Sequence, residues 1–419
     1  MNNEEKKPVN EIDFHIPKKR GKKAQRFLVL DCETATLPFV NEWKLTADEK
    51  QKIAIAKPLI YDIAWQIVDR NGYVYAQHSF LIQETFFVPA VFNTAYYRDK
   101  RPLYMEKYEA KEILSKNWND VVTILLEDCK QVDFVVAYNA MFDFKKAITF
   151  TESYIYNLYG KEYQKWEDEQ RKKCKRILNG DKPKNPNFDG NHLLLRGYQF
   201  PLADLWGISC NTLINKERYK DLCIKEGMVT RTGTFFKTSA ESTFRYVIKD
   251  MNFVEEHTAL ADTLIESEIL RKALAKKPIK QGIEYFPFRE LGAVDEYIMQ
   301  RKKSKGKPYF TVDEVNNIID IMYYKLMEYD LQSSYSTNLE TRIMNLESWK
   351  SRTYGETAIN KKRFSECYLR QLDKQANRIE KYMENLRADG EAYADHENKL
   401  IDINSKICNY ASYVYGNKK

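Results

Sequence analysis

The stretch Phe27-Leu-Val-Leu-Asp-Cys-Glu33 decides how the chain is read. Four apolar residues followed at once by acids predict a buried strand that ends at a polar lip. Residues i and i+2 of a strand face one side, so Asp31 and Glu33 point into a single spot. Two convergent carboxylates repel unless a proton or a cation lies between them. Taken alone, the pattern also describes a strand end capped by two solvated acids.

Outward from this strand, the runs 60–68 and 73–82 carry β-branched and aromatic residues. They flank Asn71-Gly72, the best short hairpin signal in the chain. Residues 118–130 predict a helix, with Val121, Val122, Ile124, Leu125 and Leu126 on its apolar side. The run 133–137 predicts another buried strand, and 140–150 a helix. Between them lies Tyr138-Asn-Ala-Met-Phe-Asp143. Asp143 falls on the first helical turn, where an acid also suits the positive end of the helix dipole.

Further on, Thr238-x-x-Glu241 reads as a capping box that starts a helix. A second helix is expected over 258–275, at the start of which stands His257-Thr-Ala-Leu-Ala-Asp262. On one continuous helix, residues five apart diverge by about 140°. His257 therefore serves the same centre as Asp262 only from the loop before the helix; otherwise the pair is a loop histidine and a helical acid bonded to backbone. Residues 152–198 begin as a charged helix and pass into the turn-rich run 179–187. In that helix Tyr163 and Trp166 stand among Arg171, Lys172, Lys173, Lys175 and Arg176, which fits either a single-strand path or a charge-balanced exposed helix.

The character changes near residue 283. A basic breaker at 301–307 precedes a helical pattern from 312 onward, with Ile318, Ile321, Met322, Leu326, Leu369, Leu372, Ile379 and Met383 at three- and four-residue spacings or their multiples. The expected organisation is a basic tail over 1–25, an α/β domain over 26–282 and a mainly helical region over 283–419. The helical region fits packing against the α/β core, self-association, a grip on substrate or a protein partner. The run 18–26 holds six basic groups and no acid. It reads as a phosphate-binding arm, an import signal or a solvated tail.

Composition sets the outer limits. Of 419 residues, 43% are hydrophobic and 30% charged, which excludes wholesale disorder. No run approaches the ~20 apolar residues of a membrane span. The first residues carry no apolar core, so a secretory signal is not expected. The seven cysteines form no C-x-x-C pair, which argues against a thiolate zinc site. A chain of this size has little need of a disulfide framework, and a reducing cytoplasm fits. The formal net charge of +7 permits nucleic acid as a partner without requiring it.

Together, D-x-E after a first strand, N-x-x-F-D after a later one and H-x-x-x-x-D at a late helix resemble the DEDDh exonucleases. This is the family of the proofreading subunit of bacterial DNA polymerase III, within the ribonuclease H-like superfamily. The resemblance spans about residues 26–275, and the stretch 238–270 looks most like phage-encoded or prokaryotic members. It implies an α/β fold with a ribonuclease H-like mixed sheet flanked by helices. It also implies Asp31, Glu33, Asp143 and Asp262 as ligands of two Mg²⁺ or Mn²⁺ ions and His257 as general base. Thr34, Asn139 and Phe142 match positions that hold the terminal nucleotide or shape the site. The implied activity is 3′–5′ exonuclease hydrolysis of DNA, with RNA trimming or a nucleic-acid-binding assembly role as alternatives. The expected partner is a nucleic acid with a 3′ end, single-stranded DNA first, in a prokaryotic or phage-infected cell.

Overall fold

The computed structural model describes residues 25–43, 45–180, 190–303, 306–329, 333–388 and 394–415. The basic run 18–26 lies outside them except for Gln25 and Arg26, as do most of the turn-rich run and two residues of the basic breaker. The chain divides into two compact units. One holds 1–215 and 238–287, the other 216–237 and 288–419.

The first unit is built on a mixed sheet of β1 (Arg26–Ala35), β2 (Leu59–Asp69), β3 (Val74–Ile82), β4 (Leu114–Lys116), β5 (Phe134–Ala137), β6 (His192–Leu195) and β7 (Tyr198–Asp204). Among the described residues the strand order is β4-β3-β2-β1-β5-β7-β6. The first three strands form an antiparallel meander, and β5 and β7 follow parallel to β1. Asp69 closes the β2–β3 hairpin, its carboxylate accepting from the backbone N–H of Asn71 at 2.8 Å and of Tyr73 at 3.0 Å. Gly72 sits in that turn at φ +86°, and a side chain there would run into Arg271.

Buried residues on both faces of β1 and β2 show that the sheet is covered on both sides. Trp65 lies wholly buried in β2, packs against Phe80 and donates its indole N–H to Asp128 Oδ2 at 2.8 Å. Trp65→Ala opens a cavity and takes one donor from that carboxylate, which keeps His78 Nε2 at 3.2 Å. We expect a loss of about 3–5 kcal/mol in urea unfolding; a loss under about 1 kcal/mol would mean the core closes over the gap.

The expected helices over 118–130 and 258–275 are found as Trp118–Cys129 and Ala259–Leu274. The cap near 238 shifts by one residue: Ser239 caps the Ala240–Ile248 helix, while the Thr238 hydroxyl accepts from the Trp206 indole at 2.9 Å. The region after 190 departs from expectation more strongly, since β6 and β7 form a hairpin where the sequence pattern predicts no strand. Tyr163 and Trp166 stack on each other, and Trp166 is buried against Phe150 and Tyr154. These rings belong to the core rather than to a strand path.

The second unit is helical, with Glu217–Lys225, Val294–Gln300, Val312–Glu328, Ser334–Tyr354, Lys361–Ala388 and Ala394–Tyr415. Ile318, Met322, Leu326, Leu369, Leu372 and Met383 are buried as their spacing predicts. Buried ion pairs, Arg363 with Glu347 at 2.8 Å and Lys374 with Glu340 at 2.7 Å, tie the Lys361–Ala388 helix to the Ser334–Tyr354 helix. No helix among the described residues is long and apolar enough to cross a membrane.

Candidate active site

The site forms where β1 meets the Ala259–Leu274 helix, and a matched periodicity puts it there. Asp62, Ala64 and Gln66 alternate along one face of β2, each a two-residue step of roughly 6.7 Å. Ala259, Thr263 and Ser267 recur along the helix in four-residue steps of about 6 Å. Each step makes a bond: Ala259 N–H to Asp62 Oδ2 at 2.8 Å, the Thr263 hydroxyl to the Ala64 carbonyl at 3.2 Å, and the Ser267 hydroxyl to Gln66 Oε1 at 3.0 Å. Opposite these β2 residues in the antiparallel register stand Glu33, Asp31 and Val29. Directly opposed residues share a face. Asp31 and Glu33 are thus turned toward the helix that carries Asp262 and Glu266.

Asp143 comes from a third element. β5 pairs with β1 only through Phe27–Val29, so beyond that point the lip of β1 is open on one side. The chain leaving β5 turns at Asn139, whose carbonyl accepts from the Phe142 N–H at 2.6 Å and the Asp143 N–H at 3.3 Å. The expected helix then begins as a π-helical segment, Met141–Ile148, a wider winding that recurs at functional sites. Asp204 buttresses the turn, accepting from the Ala140 N–H at 3.4 Å and capping Trp206 at 3.3 Å. Cys32 belongs to the other face of β1, and its thiol donates to Asp143 Oδ1 at 3.1 Å. Thr34 is half-buried next to Glu33, just past an irregularity in the β1–β2 register; Phe142 is half-buried and Asn139 exposed.

His257 lies outside the helix, as its spacing from Asp262 required: Thr258 is the N-cap. The His257 backbone adopts φ +55°, an uncommon conformation for a residue with a Cβ. Its Nδ1 is 3.4 Å from Glu255 and 3.9 Å from Asp262. Glu33, His257 and Asp262 offer ligand atoms that all lie within 4.8 Å of one another.

The electrostatics are those of crowded, buried acids. Burial and then the negative charges of Glu266, Asp262, Asp143 and Glu33 raise Asp31 well above the carboxylate range. Burial raises Glu33 well up too, followed by Asp262, Asp62 and Glu255, with Lys100 pulling the other way. Asp143 is pushed up to about 7 by burial, against the pull of the Cys32 thiol and a backbone N–H. Asp262 is pushed up to about 8 by burial and then by Glu255 and Asp62. Glu266, buried behind them and accepting from the Tyr138 N–H at 3.2 Å, is raised well up by burial and by Asp143.

Glu255, Glu266, Asp62 and Lys100 were not singled out in the sequence. Glu266 had a local signal, lying four residues after Asp262 on the same helical face. Asp62 and Lys100 had none, because only the sheet register and the chain's return bring them to this place.

The residues fit hard divalent cations. Asp262 Oδ1 is buried with no hydrogen-bond partner among the described residues, an acceptor that burial leaves costly unless something positive meets it. The donor set is carboxylate oxygen with one imidazole, which suits Mg²⁺ or Mn²⁺. The Cys32 thiol is raised well up by burial and the adjoining acids, so it stays protonated and does not compete as a soft ligand. Comparison of the chain with protein-family models, curated proteins and solved structures gives no match.

Proposed function

We propose that this chain is a metal-dependent 3′–5′ exonuclease of the DEDDh kind, with a ribonuclease H-like catalytic unit, that removes nucleoside 5′-monophosphates from single-stranded DNA. The observation that carries the reading is the cluster of Glu33, His257 and Asp262, whose ligand atoms lie within 4.8 Å of one another, together with Asp31, on which the charges of Glu33, Asp143 and Asp262 all act. The sheet order supports it as well, since an antiparallel meander is followed by β5 and β7 parallel to β1.

Asp31, Glu33, Asp143 and Asp262 would hold two Mg²⁺ or Mn²⁺ ions. Such a pair supplies Lewis-acid charge for an in-line displacement at phosphorus. The protein's own part is to aim the acids and to move a proton. Glu255 and Asp262 face Nδ1 of His257 and favour a proton there. Nε2 is then the nitrogen that accepts a proton from the attacking water. Glu266, Asp62 and Asp204 do not hold metal in this reading. They fix the Tyr138 turn, the helix start and the Ala140 turn, on which Asp143 and Asp262 depend.

A panel of 5′- and 3′-labelled DNA and RNA strands with Mg²⁺, Mn²⁺ or chelator tests this. The expected result is stepwise shortening from the 3′ end, only with metal, and faster on DNA. Shortening of RNA alone would move the reading to a trimming ribonuclease, and no metal-dependent cleavage of either would overturn it. His257→Ala should lower kcat by about 10²–10⁴-fold while leaving strand binding unchanged. An unaltered rate in that variant removes the general-base role.

A further inference from the structure

One helical face elsewhere in the first unit is given over to the His257 loop. Tyr97, Lys100, Tyr104 and Lys107 follow one another at spacings of three, four and three through the turns Arg98–Lys100 and Arg101–Glu109. That spacing puts all four on one side. The Tyr97 ring lies flat on the His257 imidazole, with centroids 4.4 Å apart and planes 13° from parallel. Lys100 Nζ lies 5.0 Å from the centroid of the Tyr97 ring and donates to the Glu256 carbonyl. The Tyr104 hydroxyl, on a wholly buried side chain, donates to the His257 carbonyl at 3.4 Å. Lys107 pairs with the Glu256 carboxylate.

These contacts answer a specific need. His257 precedes the N-cap, so no helical hydrogen bond orders it, and its left-handed backbone persists only where neighbours enforce it. Lys100 and Tyr104 hold the backbone carbonyls of 256 and 257, Lys107 holds the Glu256 side chain, and Tyr97 covers one face of the ring. A flat aromatic neighbour restricts rotation of the imidazole plane, which an aliphatic side chain of similar size does not do as well.

We infer that residues 97–107 form a clamp that orients the His257 imidazole toward Glu33 and Asp262, with Tyr97 as the positioning residue. Its catalytic consequence rests on the exonuclease reading. Its structural content does not.

The test compares Tyr97→Phe and Tyr97→Leu in the full chain. The chain has five histidines, so the ring ¹H–¹³C signals of His257 are assignable by their loss in His257→Ala. Wild type and Tyr97→Phe should share ring-current-shifted, ordered His257 signals. Tyr97→Leu should lose the shift and the order. In strand hydrolysis, Tyr97→Leu should lower kcat by about tenfold or more with KM little changed, and Tyr97→Phe should restore it. Lys107→Ala, which leaves the aromatic pair in place and frees Glu256, should move kcat the same way.

Unchanged His257 signals in Tyr97→Leu overturn the clamp. So does an unchanged kcat despite moved signals. A loss confined to KM would make Tyr97 a base-stacking platform instead. Wild-type protein without metal-dependent hydrolysis would sink the exonuclease reading, while the ring signals would still decide separately whether Tyr97 orders His257.

Discussion

Asp143→Ala is expected to lower metal-dependent hydrolysis by roughly a thousandfold or more, and Asp31→Ala to do the same, with the fold retained. Asp143 comes to the lip of β1 from the β5 side, and its carboxylate accepts from the Cys32 thiol of β1. The acids of the Ala259–Leu274 helix and Asp143 all act on the charge of Asp31. Neither acid anchors the core, so circular dichroism and the urea midpoint should not show unfolding. A variant of either kind with wild-type nuclease rate would show that the chemistry happens elsewhere. The conservative Asp143→Asn should be nearly as inactive, because an amide keeps the shape and loses the charge that attracts a cation.

The second large effect is on stability. Asp143 at about 7 and Asp262 at about 8 are easier to protonate in the folded protein than in the unfolded chain, where carboxyls titrate near about 4. Between these values the folded state binds more protons than the unfolded state, so stability falls as pH rises. The loss should build from about pH 4 and be complete above the folded values, near pH 8. In chelator, Tm at pH 8.5 should therefore lie below Tm at pH 6. Mg²⁺ or Mn²⁺ should recover much of the difference at the higher pH, because cations bind the ionised acids of the folded state. Asp262→Asn should raise the Tm of the metal-free protein at pH 8.5 and flatten the pH dependence. A Tm in chelator that does not fall over this range, with no response to metal, would mean the acids are not crowded in solution.

The activity loss in Asp143→Asn and the stability gain in Asp262→Asn share a cause. Carboxylates close enough to bind cations strain the fold when no cation is there. An acid-to-amide change relieves the strain and removes the function together, which is the expected mark of a functional site over a structural one.

Much of the site was legible because it follows short periods. The two-residue step of a strand paired Asp31 with Glu33, and the apolar run before them marked the buried strand. The 3.6-residue period of a helix excluded His257 and Asp262 from one helical face and placed the histidine in the loop, where it lies. The β2–β3 hairpin was readable from Asn71-Gly72 for the same local reason. The β6–β7 hairpin was not, because Pro201 stands inside β7 and removes a ladder donor, which argues against a strand. The aromatic residues among the lysines of the Tyr163–Leu178 helix left two readings open, and Trp166 packs into the core. Composition does not say which side of a helix meets the core.

What the local pattern carries is the set of candidate groups: a D-x-E at a strand end, an acid opening a helix, and a histidine just before another. Those assignments depend on backbone periods that act over two to five residues. What only the tertiary structure decided is which further groups join them. Asp62 enters through the antiparallel register with β1, Lys100 and Tyr97 through the packing of the Arg101–Glu109 helix on the His257 loop, and the raised carboxyls through burial. Contact between residues more than a hundred positions apart, and exclusion of water from around them, are properties of the assembled chain, and no local period encodes either.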